Sequence, residues 1–236
     1  MACGRRFRVR GLGSPPVIAR IHTPFTEPFG IPRQSGLAPD VPGTIEFGPP
    51  YRDPAYVRGL EQASHIWLIW LFDLSKGAAP SATVRPPLMG GNQRIGVFAS
   101  RSPFRPSRLG LSCVRLDKVV TDGPSGPVLH VSGVDMMDGT RIVDIKPYVP
   151  YADCKESARY PLSHDGDVQR VQVVFPEPLL MRIPSELRAG LVQVLALDPR
   201  PRYQHDPVRV YGFGFGGMDV RFRVADGVLT VCEVVG

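Results

Sequence analysis

The chain has 236 residues, 43% of them hydrophobic and 21% charged, which allows one large domain with a small second one and argues against a disordered protein. Its 25 glycines and 26 prolines favour short strands joined by turns over long helices. The most apolar run, residues 66–72, is far shorter than the roughly 20 residues needed to cross a bilayer, so we expect no membrane span.

The net charge of +6 comes from one segment. Residues 85–116 contain no acidic residue and no lysine but six arginines: Arg85, Arg94, Arg101, Arg105, Arg108 and Arg115. Without these six, 22 basic residues face 22 acidic ones. Guanidinium groups bind phosphate through two parallel hydrogen bonds and stack on bases, so the segment favours a polyanionic partner, RNA in particular.

Six short strands are predicted in the first 150 residues. They cover residues 17–23, 64–74, 94–99, 111–120, 128–133 and 141–147. A long ordered loop is expected over residues 27–42, and a short helix over residues 54–60 with Asp53 as its N-cap. Six strands at this spacing, with hardly any helix between them, predict a closed or nearly closed β-barrel.

The pattern changes after residue 150. Leu187, Leu191, Val194 and Leu195 have the spacing of an amphipathic helix over residues 184–197. Strands are predicted over residues 208–215, 218–224 and 228–234, the last two joined by an Asp226-Gly227 hairpin turn. The fold is therefore expected to be mainly β. We expect a flexible N-terminus (1–14), a barrel domain (15–152), a linker (153–168) and a small α+β domain (169–236).

No common active-site motif is present. Neither H-E-x-x-H, G-x-S-x-G nor a P-loop occurs, and the five histidines and four cysteines lack metal-ligand spacing, so no metal site and no disulfide framework is expected. The cysteine usage suggests a reducing cytoplasm. Residues 212–217, GFGFGG, precede a strand pattern and not a helix, so they predict a glycine-rich β turn and not a dinucleotide loop.

Two features leave alternatives open. The Pro- and Arg-rich stretches 84–92 and 100–106 are either rigid phosphate- or cofactor-binding loops or stiff surface loops with solvated arginines. Asp144 and Lys146 should share one strand face, either as a structural ion pair or as an acid and a base beside a ligand.

Short motifs run in order through nearly the whole chain. They are Ile31-Pro32-Arg33-Gln34, Val57-Arg58-Gly59-Leu60-Glu61 with Ser64-His65, Val84-Arg85-Pro86-Pro87, Gly90-Gly91-Asn92, Gly96-Val97-Phe98-Ala99-Ser100-Arg101-Ser102 with Phe104-Arg105-Pro106, Asp138-Gly139-Thr140, Asp144-Ile145-Lys146-Pro147-Tyr148 and Asp198-Pro199-Arg200-Pro201-Arg202-Tyr203. Together they resemble the bacterial tRNA threonylcarbamoyladenosine methyltransferases, the TrmO or YaeB-like proteins. One departure is Ser107-Arg108-Leu109-Gly110, where that family commonly has Asn-Pro-Ile-Gly.

The resemblance implies a homodimeric, S-adenosylmethionine-dependent methyltransferase built on a TsaA-like β-barrel and not on a Rossmann sheet. Its substrate is the modified adenosine beside the anticodon of tRNA, methylated on the exocyclic nitrogen. The cofactor-binding residues that we expect are Pro32, Arg33, Gln34, His65, Ile66, Arg94, Arg101, Asp135, Met136, Met137 and Asp138.

Catalytic roles are expected for three residues. Arg105, or Arg101, would stabilise negative charge on the carbamoyl oxygen, while Asp138 and Asp144 are the candidate proton acceptors. The expected substrate-binding residues are Arg85, Lys146, Tyr148, Asp198, Arg200 and Tyr203. Two other functions stay open at this point: a non-catalytic RNA-binding protein, and a methyltransferase of the same architecture acting on another nucleoside or a small molecule.

Overall fold

The computed structural model describes residues 15–72, 79–85, 94–160, 170–200 and 206–236. Three features named above lie outside these residues: the predicted flexible N-terminus (1–14), most of the proline-glycine stretch that follows Arg85, and Tyr203. The described part is mainly β, with a closed barrel followed by a smaller part that contains helices and strands, as the sequence predicted. The barrel has six strands and the C-terminal sheet has four.

The barrel closes through antiparallel neighbours only. Its strands, in the order in which they pair, are β1 (Ala19–His22), β2 (Pro42–Phe47), β7 (Val128–Ser132), β6 (Leu109–Val120), β3 (His65–Leu71) and β8 (Thr140–Pro147), which returns to β1. Alternate side chains fill the interior, as in β3, where Ile66, Leu68 and Trp70 are buried. A two-stranded ribbon, β4 (Thr83–Val84) with β5 (Ile95–Gly96), stands beside the barrel.

Two sequence-based assignments are wrong. The predicted strand 94–99 is β5 followed by a 3-10 helix, Val97–Ala99, and the sixth barrel strand is instead β2. The predicted helix 54–60 is a 3-10 turn over Pro54–Val57, which ends before Gly59 in the left-handed region (φ 87°). Asp53 does cap that turn, accepting from the Ala55 N–H at 2.8 Å.

Three long connections meet at one end of the barrel, because neighbouring strands run in opposite directions. They are residues 23–41 between β1 and β2, 72–108 between β3 and β6, and 133–139 between β7 and β8. We call this end the loop end. The loop end carries the Pro-Arg-Gln motif, most of the arginine segment and the loop from Asp135 to Asp138.

The C-terminal part is a sheet with helices packed against it. After the short helix α1 (Pro150–Asp153) come β9 (Gln172–Val174), α2 (Glu177–Leu180), α3 (Ser185–Ala196), β10 (Tyr211–Phe215), β11 (Met218–Ala225) and β12 (Val228–Val235). The sheet order is β10-β11-β12-β9, with β9 parallel to β12 and the other pairs antiparallel. The predicted helix, the β10–β11 glycine turn and the Asp226-Gly227 hairpin are confirmed, whereas β9 and α2 were not predicted.

One continuous core joins the two parts. Phe25, at the loop end, packs edge-on against Phe215 of β10 with ring centroids 5.5 Å apart. The Gly216 N–H donates to the Pro24 carbonyl at 2.8 Å. Gly190 in α3 lies so close to the 23–41 connection that a Cβ there would be 2.9 Å from the Asp40 carbonyl oxygen. The C-terminal sheet and α3 therefore pack on the connection that carries the Pro-Arg-Gln motif.

Candidate functional site

The arginine segment is built on the β4–β5 ribbon. Arg94 Nε donates to Thr83 Oγ1 at 3.0 Å, which ties the two sides of the ribbon together. Arg105 is partly buried, and its Nη2 donates to the Ser100 carbonyl at 3.1 Å. Arg85, Arg94 and Arg101 are exposed at the same end of the barrel. This end therefore presents several guanidinium groups on a short, hydrogen-bonded scaffold.

Gln34 connects the arginine segment to the Pro-Arg-Gln motif. The Arg101 Nη1 donates to Gln34 Oε1, while Gln34 Nε2 donates to the Arg33 carbonyl at 2.6 Å. Pro32 is buried and Arg33 exposed. The structure thus brings Gln34 and Arg101, two predicted cofactor-binding residues, into direct contact across two different connections.

Asp135 lies at the centre of a hydrogen-bonded cluster at the mouth of the barrel. Ser112 Oγ donates to Asp135 Oδ1 at 2.6 Å and accepts from Trp70 Nε1 at 2.9 Å. The Ser35 N–H also donates to this carboxyl group, and Ser35 Oγ accepts from the Cys113 N–H at 3.1 Å. We call Trp70, Ser112, Asp135 and Ser35 the Asp135 cluster. It joins β3, β6 and two of the three loop-end connections.

Burial changes the acidity of this carboxyl group. It raises the pKa of Asp135 to about 6, while the hydrogen bonds from Ser112 and the Ser35 N–H and the positive charge of Arg101 lower the pKa and oppose the effect. Asp135 is therefore poised between its neutral and ionised forms close to neutral pH. A carboxyl group whose pKa is perturbed in this way is typical of functional sites.

Asp138 has a different environment at the same end. Its Oδ1 accepts from the Thr23 N–H at 3.1 Å and lies 3.1 Å from His22 Nδ1. Its side chain is 46% exposed, so the carboxylate is oriented from one side and open to solvent on the other. Met136 is buried, and its carbonyl accepts from Thr23 Oγ1 at 3.0 Å. The Met137 carbonyl accepts from Thr140 Oγ1 at 2.8 Å.

The remaining predicted residues on the barrel lie towards its opposite end. Asp144 and Lys146 form an ion pair at 2.9 Å on one face of β8, as their spacing predicted. The Tyr148 ring lies 6.5 Å from that of His65, and its N–H donates to the His65 carbonyl at 3.0 Å. Ile66 points into the core and is fully buried. In the strand register these residues lie near one another and several positions away from the Asp135 cluster.

In the C-terminal part, Asp198 and Arg200 bind each other. Arg200 Nε and Nη2 donate to the two carboxylate oxygens of Asp198, both at 2.8 Å. The Arg200 side chain is only 13% exposed, and Asp198 adopts a left-handed backbone (φ 49°). The pair fixes the start of the motif that contains Tyr203. Its predicted role in substrate binding stays a prediction.

Sequence reasoning missed Ser112, Trp70, Ser35 and His22 as partners of the predicted acids. One signal was available for Ser112: it stands in the inward-facing series of β6 between Gly110 and Val114, where a hydroxyl needs a polar partner. The segment from Tyr148 to Tyr160 was also missed as a structural element. Asp153 accepts from Trp67 Nε1 at 3.0 Å, and the Tyr160 hydroxyl donates to the Ala99 carbonyl at 2.5 Å.

Over the described ranges, no group of three or more His, Cys, Asp or Glu side chains is arranged to hold a metal ion. The helices of those ranges include none that is long and apolar enough to span a membrane. The loop end combines the Arg101 guanidinium group with the Asp135 carboxyl group and the hydroxyl groups of Ser112 and Ser35. This donor set suits an organic ligand that carries a carboxylate together with ammonium or hydroxyl groups.

Comparison with known proteins gives matches over both parts of the chain. Residues 20–154 match the tRNA-methyltransferase O N-terminal domain, and residues 169–236 match the TrmO C-terminal domain. A putative S-adenosylmethionine-dependent methyltransferase, RcsF, of Pseudomonas aeruginosa is 39% identical over 93% of this chain and 96% of its own length. The tRNA (adenine(37)-N6)-methyltransferase of Escherichia coli strain K12 is 37% identical over 89% of this chain and 92% of its own length.

Solved structures give the same result. A crystal structure of TrmO has a TM-score of 0.77 at 34% identity and covers 96% of this chain and 100% of its own. TrmO from Pseudomonas aeruginosa has a TM-score of 0.76 at 35% identity, with the same coverage of 96% and 100%. The similarity therefore extends over the barrel and the C-terminal sheet together.

Proposed function

This chain belongs to the tRNA-methyltransferase O family, and on that premise we propose that it is an S-adenosylmethionine-dependent tRNA methyltransferase. We propose as its target the N6 nitrogen of the adenosine at position 37, which the name of the Escherichia coli relative specifies. The threonylcarbamoyl group on that adenosine is what the resemblance of the sequence motifs implies. The observation that carries the proposal is the similarity of the whole chain to enzymes of that name, on a barrel whose loop end collects arginines around a buried acid.

The residues at the loop end fit such a cofactor. S-adenosylmethionine supplies an electrophilic methyl group on a sulfonium centre, and its amino-acid part carries a carboxylate and an ammonium group. Arg101, held by Gln34, offers a cation for the carboxylate, and Asp135 offers an acceptor for ammonium or ribose hydroxyl groups. We propose that Pro32, Arg33, Arg94 and the segment Met136 to Asp138 complete this binding site. His65 and Ile66 are not included, because they lie towards the opposite end of the barrel and Ile66 is buried in the core.

The chemistry asks two things of the protein. The nucleophilic nitrogen is bonded to a carbonyl group, so its lone pair is delocalised and its proton must leave as the new bond forms. We propose that Arg105 stabilises the negative charge that develops on the carbamoyl oxygen. Asp138, which His22 and the Thr23 N–H orient, lies at the same end as Arg105 and is the proposed proton acceptor, whereas Asp144 pairs with Lys146 towards the opposite end of the barrel.

The tRNA is proposed to contact Arg85, Lys146, Tyr148, Asp198, Arg200 and Tyr203. Arg85, Lys146 and the other exposed cations would neutralise phosphates, and the tyrosines would stack on unpaired bases. We further propose a cytoplasmic homodimer with the domain limits given above. Sedimentation velocity of the purified protein tests the dimer, and a monomer at every concentration would contradict it.

The decisive experiment measures transfer of labelled methyl from S-adenosylmethionine to tRNA. Two substrates are compared, tRNA that carries threonylcarbamoyladenosine and tRNA prepared without that modification. Label in the first substrate alone is expected. Label in both would indicate another target nucleoside, and label in neither, with folded protein that still binds tRNA, would indicate a non-catalytic RNA-binding protein.

A further inference from the structure

A cavity of about 540 Å³ opens at the barrel end opposite the loop end, and none of the roles proposed above explains it. Its wall includes Phe47, Tyr51, Tyr56, Arg58 and Asp144. The volume is in the range of small-molecule sites, which run from about 300 to 1,000 Å³. The lining combines aromatic rings with one cation and one anion.

The barrel topology creates this cavity. β8 pairs with β1 only over Thr140–Ile142, yet it continues to Pro147 along β3. The space beside its second half is covered by the connection between β2 and β3, which consists of three short 3-10 helices and not of a strand. Gly59 adopts a left-handed backbone (φ 87°) with nothing within 4 Å of where a Cβ would lie, so the wall stays open there.

The aromatic rings form a corner that suits a planar ligand. The Tyr51 and Tyr56 rings lie 5.8 Å apart, inclined by 67°. Tyr51 packs against the core, whereas Tyr56 is 64% exposed, so its ring is open to a ligand that enters the cavity. A flat heterocycle that enters this corner can stack on one ring and touch the edge of the other.

The polar groups narrow the class of ligand. Asp144 Oδ1 accepts from the Ile145 N–H at 2.9 Å and Oδ2 is 2.9 Å from Lys146 Nζ. A carboxylate has about four acceptor positions, so it can take a further N–H donor. Arg58 supplies donors on the same wall. A phosphate group would be repelled by Asp144, and a hydrocarbon would use neither charged side chain, whereas an aminated heterocycle uses both.

We propose that this cavity binds one unpaired nucleobase of the RNA substrate, a base with an exocyclic amine. The base stacks on one of the Tyr51 and Tyr56 rings and touches the edge of the other, its amine donates to Asp144, and a ring nitrogen or carbonyl accepts from Arg58. This inference rests on the proposed function, because the nucleobase belongs to the proposed tRNA substrate. The base is a neighbour of the one to be methylated, because the proposed cofactor site lies at the other end of the barrel.

The test uses an anticodon stem-loop RNA in which one loop base at a time is replaced by 2-aminopurine. The fluorescence of this base falls when it stacks on an aromatic ring. One loop position should be quenched when the RNA binds the protein. Tyr56→Ala and Tyr51→Ala should each restore the fluorescence and weaken RNA binding by about 5- to 150-fold. Quenching at a position other than 37 identifies the cavity with a neighbour of the target base, and quenching at position 37 would contradict that assignment.

Two further variants sharpen the result. Tyr151→Ala removes an 89% exposed tyrosine outside the cavity lining, so it should change neither quenching nor affinity. At the quenched position, replacing adenine by purine, which lacks the amine, should weaken RNA binding to the native protein about 10-fold. The same replacement should barely change RNA binding to the Asp144→Ala variant, which has no side-chain acceptor.

No quenching at any loop position, or quenching that survives both Tyr51→Ala and Tyr56→Ala, would overturn the proposal. The assay needs neither cofactor nor methyl transfer. Its failure is therefore distinct from failure of the labelled-methyl experiment, and either can occur without the other.

Discussion

Asp135→Asn should make the stability of this protein less dependent on pH. Burial raises the pKa of the Asp135 carboxyl from 3.8 to about 6, so the folded state holds this proton more tightly than the unfolded chain does. The contribution of this proton to stability is complete below pH 3.8 and is lost as the pH rises through 6. Each unit of pKa difference corresponds to about 1.4 kcal/mol, which gives roughly 3 kcal/mol in total.

An asparagine keeps an acceptor for Ser112 but has no proton to lose. The difference in unfolding free energy, variant minus native, should therefore rise by about 2 kcal/mol between pH 4.5 and pH 7, whatever its absolute value. Urea unfolding at several pH values, followed by tryptophan fluorescence, measures this difference. Trp70 bonds to Ser112, so the probe reports on the cluster itself.

Ser112→Ala provides the opposite perturbation. It removes the 2.6 Å hydrogen bond that favours the ionised carboxyl group, so the pKa of Asp135 should rise further and the loss of stability with pH should become steeper. A variant-minus-native difference for Asp135→Asn that stays flat from pH 4.5 to pH 7 would refute the reasoning. It would mean that the carboxyl group is solvated in solution.

Other predictions concern activity, RNA binding and packing. Arg105→Gln should lower turnover roughly 100-fold with cofactor affinity nearly unchanged, and equal losses in the two would contradict its proposed role. Arg85→Gln should weaken tRNA binding and reduce the slope of log affinity against log salt by roughly one, measured by filter binding. Gly190→Ala should lower the free energy of unfolding, measured by urea unfolding, by about 1–3 kcal/mol, because the added Cβ would meet the backbone of Asp40. The control Gly96→Ala adds a Cβ in open space and should change the free energy of unfolding by about 0.5 kcal/mol or less.

The barrel was predictable because its evidence is local. Alternation of apolar and polar residues marks a half-buried strand wherever it occurs, and antiparallel neighbours bring alternate connections to the same end. Five of the six predicted strands are barrel strands, and the spacing of the six was the basis for predicting a closed or nearly closed barrel. The arginine segment was visible for the same reason, since its signal is a run of one charge in consecutive residues.

The missed strand β2 shows the limit of local signals. It starts at Pro42, at the end of a proline- and glycine-rich stretch that reads as loop, and its second residue is Gly43. A Cβ at Gly43 would lie 2.9 Å from Val134 Cγ1 and 3.1 Å from Ile21 Cδ1, so the glycine is required by neighbours distant in sequence. Only the three-dimensional packing distinguishes this glycine from one in a turn.

The Asp135 cluster could not be predicted for a related reason. Asp135 was identified from resemblance, but its acidity depends on Ser112 and on the Ser35 N–H, 23 and 100 residues away. Which hydroxyl reaches the carboxyl group depends on the register of β6 in the barrel, and a shift of one residue would turn Ser112 outwards. Residue type predicts that an acid is present, whereas register determines its pKa.

The connection between β1 and β2 links the two parts of the protein to the candidate site. On one side Gln34 bonds to Arg101, and Ser35 bonds to the Asp135 carboxyl group and to β6. On the other side, Asp40 exchanges hydrogen bonds with Gln193 of α3, at 2.9 and 2.6 Å. The same connection is therefore held from both sides, and the C-terminal part restrains the segment that carries Gln34. The C-terminal sheet and α3 support the loop end through glycine and aromatic packing together with these hydrogen bonds.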